Sequence, residues 1–176
     1  GPGKELFVRD YNASVERKFS SKLSTKLTYL HFDFNTLTTP VTTDYKGIVN
    51  ANIVVLETNW KVKPKQSLRT ELQGLLVGED PDHPGELQDK GHWATVVAEY
   101  TWSPHWSLSV LDQYNFGNNE EDKRIHYVFA SASYINGPHR LSMGYGKRRE
   151  GIFCIGGVCR AVPASNGFEL TFTSSF

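Results

Sequence analysis

The chain has 176 residues, with 19 Lys+Arg balanced by 19 Asp+Glu and a formal net charge of zero. This balance argues against a nucleic-acid-binding protein, which normally carries a basic excess. The mean hydropathy is −0.42, and the absence of any apolar run of about 18 residues excludes a transmembrane helix. It does not exclude a transmembrane β-barrel, whose strands alternate apolar and polar residues and so average polar. The length suits one domain over residues 1–176.

Alternation of apolar and polar residues is the main local pattern, and convincing helical periodicity is hard to find. The alternating segments reach ten or more residues, which is the length that a transmembrane strand needs. Aromatic residues form 12% of the chain, as suits the aromatic girdles of a membrane barrel. The nine predicted strands are about 5–18, 21–36, 46–62, 66–79, 91–103, 106–117, 124–136, 139–149 and 165–176.

The predicted connections alternate between short and long. The short ones are 19–21, 63–65, 103–105 and 136–138, and the long ones are about 37–45, 79–91, 117–123 and 149–164. Short periplasmic turns opposite long extracellular loops are typical of an outer-membrane barrel. The fold class predicted is therefore all-β, an antiparallel up-and-down transmembrane β-barrel. The alternative is a soluble, lipocalin-like ligand-binding barrel.

The hairpin around Pro64 shows the alternation on both arms. Leu56, Trp60, Leu68, Leu72 and Leu76 share one face, and the opposite face carries Glu57, Asn59, Lys61, Arg69, Glu71 and Gln73. A charge at the bilayer midplane costs about 2–4 kcal/mol on the lipid face of a barrel, so the charged face is expected to line the lumen. The predicted lumen-facing residues are Glu57, Asn59, Lys61, Arg69, Glu71, Gln73, Glu99, Arg140 and Glu169.

The following hairpin ends in aromatic residues. Tyr100 and Trp102 precede the turn at 103–105, and Trp106 follows it. Amphipathic rings favour the depth of the lipid headgroups, so this turn is expected at a membrane interface. Asp112 interrupts the apolar stripe unless a bulge intervenes, and the register is uncertain beyond Val110.

The C-terminal strand carries a sorting pattern. Phe168, Leu170, Phe172 and Phe176 lie on one face, and Phe176 is the last residue. This ending resembles the C-terminal signal of outer-membrane proteins, which the barrel assembly machinery recognises. The alternative is an ordinary closing strand of a soluble sheet.

The number of predicted strands bears on whether they form a complete barrel. If the last strand ends in the periplasm, the first of nine strands runs downward from the outside. Bacterial single-chain barrels have an even strand number with both ends periplasmic. The chain is therefore expected to be the C-terminal part of a larger barrel. The alternative takes residues 1–20 as a periplasmic lead before a complete eight-stranded barrel.

Two cysteines, Cys154 and Cys159, are separated by four residues that include Gly156 and Gly157. A short loop closed by a disulfide fits an oxidising compartment. Two thiolates without a nearby histidine make only half of a zinc site, so no metal is expected. Two free cysteines are the remaining alternative.

The sequence from Gly144 onward contains the motifs Cys-Ile-Gly-Gly-Val-Cys-Arg and Val-Pro-Ala-Ser-Asn-Gly-Phe. It resembles the C-terminal end of an uncharacterised family of outer-membrane barrel proteins from Bacteroidota. The resemblance is specific over about 144–176 and generic upstream. It implies a Gram-negative outer membrane and a longer protein. It implies no activity and no catalytic residues.

Candidate chemistry is sparse. The chain has six histidines, but no serine lies in a nucleophile-elbow pattern; a barrel enzyme of the lipase or protease type is the alternative, because Ser-His-Asp groups are recognised by geometry and not by sequence. Glu79, Asp80 and Asp82 lack the spacing of a calcium loop. The expectation is a non-enzymatic outer-membrane barrel without cofactor, acting in solute passage or as the membrane subunit of an envelope complex. Expected partners are outer-membrane lipids and lipopolysaccharide, the assembly machinery and other outer-membrane proteins, and no nucleic acid.

Overall fold

The computed structural model describes residues 8–37, 45–149, 151–155, 158–162 and 164–175; for 151–155 and 158–162 it describes the backbone alone. Eleven strands form in these ranges, and one 3-10 turn lies at Glu121–Lys123. No described helix is long and apolar enough to cross a membrane. The strands are β1 (Val8–Lys18), β2 (Leu23–Asn35), β3 (Ile48–Lys63), β4 (Gln66–Val77), β5 (Trp93–Trp102), β6 (Trp106–Tyr114), β7 (His126–Asn136), β8 (His139–Arg148), β9 (Gly151–Ile155), β10 (Val158–Val162) and β11 (Ser165–Ser174).

Nine of these strands form one antiparallel sheet in the order β1-β2-β3-β4-β5-β6-β7-β8-β11. The all-β fold and the nine predicted long strands are confirmed, because long alternating segments can satisfy their backbone groups only by pairing with neighbours. The sheet is open: in the described part of the chain, β1 and β11 each pair on one side only. In an antiparallel sheet of nine strands the first and the last run in the same direction, so these two edges cannot close on each other as an antiparallel pair.

A separate two-stranded hairpin of β9 and β10 lies between β8 and β11. The predicted long connection over 149–164 is present, and it contains this hairpin, which the sequence did not predict. Each of the two strands has only five residues, which is too few for an alternation of apolar and polar residues to indicate a transmembrane strand. Their β-branched residues, such as Ile152, Ile155 and Val158, favour strands on intrinsic grounds.

The two faces of the large sheet differ in exposure. All the most buried apolar side chains lie on one face, which we call the inner face, and the opposite one is the outer face. Register joins three of these buried residues across neighbouring strands: Val97 pairs with Leu111, and Leu111 pairs with Phe129. The buried apolar residues of the inner face are Val49, Ala51, Trp93, Val97, Leu111 and Phe129.

Close packing on the inner face explains one glycine of β8. The ring of Phe129 lies over Gly144, where a Cβ would come 2.3 Å from the ring Cζ. A side chain at this position would push the ring out of its site. The pairing of a large residue with a glycine thus fixes how β7 and β8 pack.

Two-residue turns join β3 to β4 and β7 to β8. Gly137 has φ +56° and Lys65 has φ +65°. Glycine adopts this left-handed conformation freely, whereas lysine does so at a cost of about 1–2 kcal/mol. Asparagine tolerates it better than lysine.

Lys65→Asn is therefore expected to stabilise the β3–β4 hairpin by up to about 1 kcal/mol, because asparagine tolerates the left-handed turn better than lysine. Urea unfolding followed by tryptophan fluorescence measures the difference. Lys63→Asn, within β3, is the matched control and should not stabilise. Equal effects of the two substitutions would contradict the turn argument.

Candidate functional site

A continuous apolar surface covers the outer face, and we call it the outer belt. Its side chains point away from the buried inner face, so they are exposed although they are large and apolar. Single exposed apolar residues are normal, but a contiguous set marks an interaction surface. The large members of the outer belt are Val15, Leu27, Val54, Leu56, Trp60, Leu72, Leu76, Val96, Trp102, Trp106, Leu108, Val110, Val128, Leu141, Met143, Tyr145, Phe168, Leu170 and Phe172.

Aromatic rings border the outer belt beside the short turns. Trp102 pairs with Trp106, and Trp106 pairs with Tyr134. The rings of Trp106 and Tyr134 lie 4.9 Å apart. His105, in the turn, stacks on Tyr134 and donates a hydrogen bond from Nδ1 to the Ile135 carbonyl at 2.8 Å. The expected aromatic end of this hairpin is therefore present.

Polar groups border the outer belt on the side of the long connections. Asp33 is fully buried and accepts hydrogen bonds from Nε (2.7 Å) and Nη2 (2.5 Å) of Arg9 and from the amide of Asn50. His31 lies 3.3 Å from the same carboxylate. On β6, Asp112 contacts His126 at 2.8 Å. The β5–β6 register is continuous through Asp112, so no bulge turns this residue inward and the belt ends there.

An arginine surrounded by three carboxylates occupies the inner face of β3, β4 and β5. Arg69 donates from Nη1 to Glu99 (2.8 Å) and from Nη2 to Glu57 (2.9 Å) and to Glu71. Gln73 donates to Glu71 as well. One guanidinium against three carboxylates leaves a formal charge of −2, which makes this group locally acidic. We call it the Arg69 cluster.

The other residues predicted to face a lumen also lie on the inner face. Asn59 donates to Glu57 at 2.9 Å, and Lys61 pairs with Ser67 across β3 and β4. Arg140 reaches Ser142 (3.2 Å) and Ser133 (3.4 Å), and Glu169 accepts from Arg148. Register thus brings all nine predicted residues to one face but splits them into two groups, because Arg140 and Glu169 lie strands away from Arg69.

The inner face changes character along the strands. The buried apolar residues, such as Val49, Trp93 and Phe129, lie toward the long connections. The Arg69 cluster follows, and lysines and serines come last beside the short turns, including Lys18 and Lys22. The inner face is therefore polar and charged over its half nearest the short turns, whereas its other half holds the buried apolar residues together with a few buried polar ones, such as Arg148 over the Phe129 ring.

Two long connections are tied to each other and to the sheet. Gln88 accepts from the Asn50 N–H (2.8 Å) and donates to the Ile48 carbonyl (3.1 Å). The Asn119 amide accepts from the Leu87 N–H and donates to the Leu87 carbonyl, both at 2.8 Å. A Cβ at Gly91 would lie 1.8 Å from the Gly117 carbonyl oxygen, so these backbones are in direct contact. These two connections, between β4 and β5 and between β6 and β7, therefore form an ordered cap.

Asp80 organises the tip of the β4–β5 connection. Its carboxylate accepts from the Asp82 N–H at 2.9 Å and contacts His83 Nδ1 at 3.1 Å. The Asp82 N–H is the main reason why the pKa of Asp80 is lowered, and the hydrogen bond to Asp80 raises the pKa of His83. In the described part of the chain, no group of three or more His, Cys, Asp or Glu residues is arranged to hold a metal ion.

A pH dependence follows for this tip. Because the folded pKa of His83 lies above its unfolded value, the imidazolium stabilises the tip below the unfolded pKa, and this contribution is lost as the pH rises through the folded pKa. In an NMR titration, Asp80→Asn is expected to lower the pKa of His83 toward its ordinary value, because the hydrogen bond that raises it is weakened. An unmoved His83 pKa would show that the pair does not form.

The C-terminal strand presents its apolar residues together. Phe168, Leu170 and Phe172 are 67%, 61% and 66% exposed on the outer face, and Glu169 lies on the inner face. Phe176 lies outside the described residues. In the β9–β10 hairpin, Cys154 and Cys159 are direct register partners.

Sequence patterns did not reveal the residues that fix the cap and the polar border of the outer belt. Asp33, Gln88 and Asn119 act through contacts with segments 17 to 40 residues away. One signal existed for Asp33, since a charge followed the otherwise apolar alternation of β2. Nothing in the local sequence distinguishes Gln88 or Asn119 from ordinary loop residues.

No curated protein matches the chain, and no solved structure matches it. The outer belt, the Arg69 cluster and the cap therefore have to be interpreted from their own chemistry. One family does match, and it covers residues 1–176. The chain belongs to this family, DUF6029, a family of unknown function.

Proposed function

We propose that the sheet is part of the wall of a non-enzymatic transmembrane β-barrel in a bacterial outer membrane. There it serves the passage of solutes or anchors an envelope protein complex. The observation that carries this proposal is the outer belt, an exposed apolar surface that extends over all nine strands. Lipid tails are the partner that such a surface fits, because they cover apolar side chains without any requirement for shape.

Exposure argues for a lipid partner rather than for water. Leu72 on β4 is 49% exposed and Leu170 on β11 is 61% exposed, so the belt is open at the middle of the sheet as well as at its edge. The largest apolar patch on a typical soluble monomer covers only about 300–600 Å². An apolar surface over nine long strands greatly exceeds that size.

The dimensions of the outer belt fit a bilayer. On β4 it extends from Leu68 to Leu76, eight residue steps or about 27 Å along the strand. A tilt of about 40° reduces this to a height of about 21 Å, close to the apolar band of about 25 Å in known barrels.

The outer belt follows rows of register partners across the sheet. Leu72 pairs with Val96, and Val96 pairs with Asp112, which interrupts this row at β6 before it continues to Val128 on β7. The row from Leu68 through Leu108 stays inside the belt as far as Leu170.

The edge strands support further strands beside this sheet. A soluble protein protects its sheet edges with proline, inward charges or bulges. β1 and β11 carry inner-face charges such as Glu16 and Glu169, but both are regular strands of eleven and ten residues that keep large apolar side chains exposed, namely Tyr11 and Val15 on β1 and Phe168 and Phe172 on β11. Because β1 and β11 run in the same direction, antiparallel closure takes an odd number of additional strands.

The proposed orientation places the short turns in the periplasm and the cap outside the cell. Outer-membrane barrels keep their long loops outside, where lipopolysaccharide and other outer-membrane proteins are the available partners. Phe168, Leu170, Phe172 and Phe176 then form the signal for the assembly machinery.

Detergent dependence tests the proposal. The chain should remain in the membrane pellet after carbonate extraction and should become monodisperse only in detergent, because water cannot cover the outer belt. A monodisperse protein obtained without detergent would overturn the membrane proposal.

Conductance separates the two roles. In the polar half of the inner face, the −2 charge of the Arg69 cluster is offset by lysines such as Lys18, Lys22 and Lys61, so conductance in planar bilayers with weak ion selectivity is expected if solutes pass. If the correctly inserted protein conducts no current, the anchoring role is favoured instead.

A disulfide between Cys154 and Cys159 is a further part of the proposal. Direct antiparallel partners have Cα atoms about 4.5–5.5 Å apart, and a disulfide needs about 4.4–6.8 Å. Without reductant, the denatured chain should resist alkylation at both cysteines, and Cys154→Ser should free Cys159. Alkylation of both wild-type thiols before reduction would show that the bond is absent.

A further inference from the structure

A basic cavity opens on the inner face beside the short turns. Its volume is about 460 Å³, and it lies between the β1–β2 turn and the ends of β3 and β4. Three lysines line it, Lys18, Lys22 and Lys61, together with four serines and Asn59. The lysine ammonium groups and the Asn59 amide nitrogen are hydrogen-bond donors, and the serine hydroxyls can donate as well, so the cavity favours an anion.

The local backbone holds this cavity in shape. The Ser20 hydroxyl accepts hydrogen bonds from the N–H groups of Lys22 and Leu23, both at 3.1 Å, which closes the β1–β2 turn. The Lys61 N–H donates to the Lys22 carbonyl at 2.8 Å. These bonds keep two of the lysines on adjoining backbone even though their side chains extend into solvent.

Negative charge is missing from the cavity. Its lining contains no Asp or Glu, and within the described residues no carboxylate pairs with Lys18, Lys22 or Lys61. The nearest inner-face carboxylate on β3, Glu57, is held by Asn59 and Arg69. Three like charges in one cavity repel one another, and a bound anion relieves this repulsion.

We propose that this cavity is a binding site for a phosphate-bearing anion, of the diphosphate or phosphodiester class. Lysine ammonium groups bind phosphate as point charges, and serine hydroxyls supply additional donors to its oxygens. The volume accommodates a diphosphate or a lipid headgroup. The Arg69 cluster lies next along the inner face with a formal charge of −2, so an anion is retained at the cavity instead of moving further.

Two sources share this chemistry. A soluble phosphate compound reaches the cavity from the aqueous space beside the short turns. A phospholipid headgroup reaches it from the membrane, because Trp60 contributes to both the cavity and the outer belt. Only the second source rests on the proposed membrane function.

Calorimetric titration with pyrophosphate tests the site on the folded chain in a nonionic detergent. Lys22→Gln/Lys61→Gln should weaken binding at least about tenfold, because two of the three ammonium groups are lost. Lys63→Gln/Lys65→Gln removes the same charge from the neighbouring turn, outside the cavity, and should change the affinity less than about threefold. Circular dichroism verifies that both variants keep the sheet.

Nanodiscs distinguish the sources. A pyrophosphate affinity that is the same in phosphatidylglycerol and phosphatidylcholine discs assigns the site to soluble phosphates, whereas competition by phosphatidylglycerol assigns it to headgroups. Failure of the wild type to bind pyrophosphate in detergent, or equal weakening by the two double variants, overturns the proposal. If the protein proves to need no detergent, the same titration in buffer still tests the cavity, so the two proposals fail separately.

Discussion

Leu72→Arg is expected to destabilise the chain in lipid vesicles by about 2–4 kcal/mol, the cost of an arginine at the bilayer midplane on the lipid face of a barrel. Leu72 lies midway along the belt on β4, between Leu68 and Leu76. Urea unfolding from vesicles, followed by tryptophan fluorescence, measures the free energy.

Leu76→Arg is the matched control. Leu76 lies on the same strand and face, and it is 46% exposed against 49% for Leu72. It pairs with Asn52 at the polar border of the outer belt. An arginine there reaches the headgroups, and its expected cost is about 0–1 kcal/mol.

The comparison separates the membrane proposal from a soluble sheet. In water, half-exposed leucines at both positions tolerate arginine with changes of about 0.5 kcal/mol or less. Depth in a bilayer is what makes the two positions unequal. Equal and small effects would therefore count against the lipid-facing interpretation of the outer belt.

Alternation was enough to predict the strands and their faces. Glu57 and Arg69 fall on the charged face of the β3–β4 hairpin in the sequence, and register places them together on the inner face. A period of two fixes which side of a sheet each residue occupies, whatever the neighbours are. The same logic places Leu170 on the outer face.

Partners across several strands were beyond the sequence. Alternation shows that Arg69 and Glu99 face the same way, but only the β4–β5 register makes them direct neighbours. The cap is a stronger case, since Gln88 contacts Ile48, 40 residues earlier in the chain. The β9–β10 hairpin was missed for a different reason, because five-residue strands are shorter than the pattern that predicted the others.

Arg69→Met is expected to destabilise the folded chain on the order of 3 kcal/mol. That is the low end of the cost of removing one partner from a buried ion pair, and the low end applies because the Arg69 side chain stays 31% exposed. The substitution leaves Glu57, Glu71 and Glu99 with no guanidinium between them. Their formal charge becomes −3, and Glu99 has only a 7% exposed side chain from which to recover hydration.

A double-mutant cycle identifies repulsion as the cause. Glu71→Gln in the Arg69→Met background reduces the negative charge of the cluster from −3 to −2 and should restore about 1 kcal/mol or more of the free energy of unfolding. Glu71→Gln alone should not stabilise the protein. Arg69→Lys keeps the charge but replaces the planar guanidinium and its five N–H donors by a compact ammonium with three, so it should fall between wild type and Arg69→Met. If Glu71→Gln has the same effect in both backgrounds, repulsion between the carboxylates is not what destabilises the Arg69→Met variant. The inner face is then hydrated enough to separate them, as the wall of an open aqueous lumen would be.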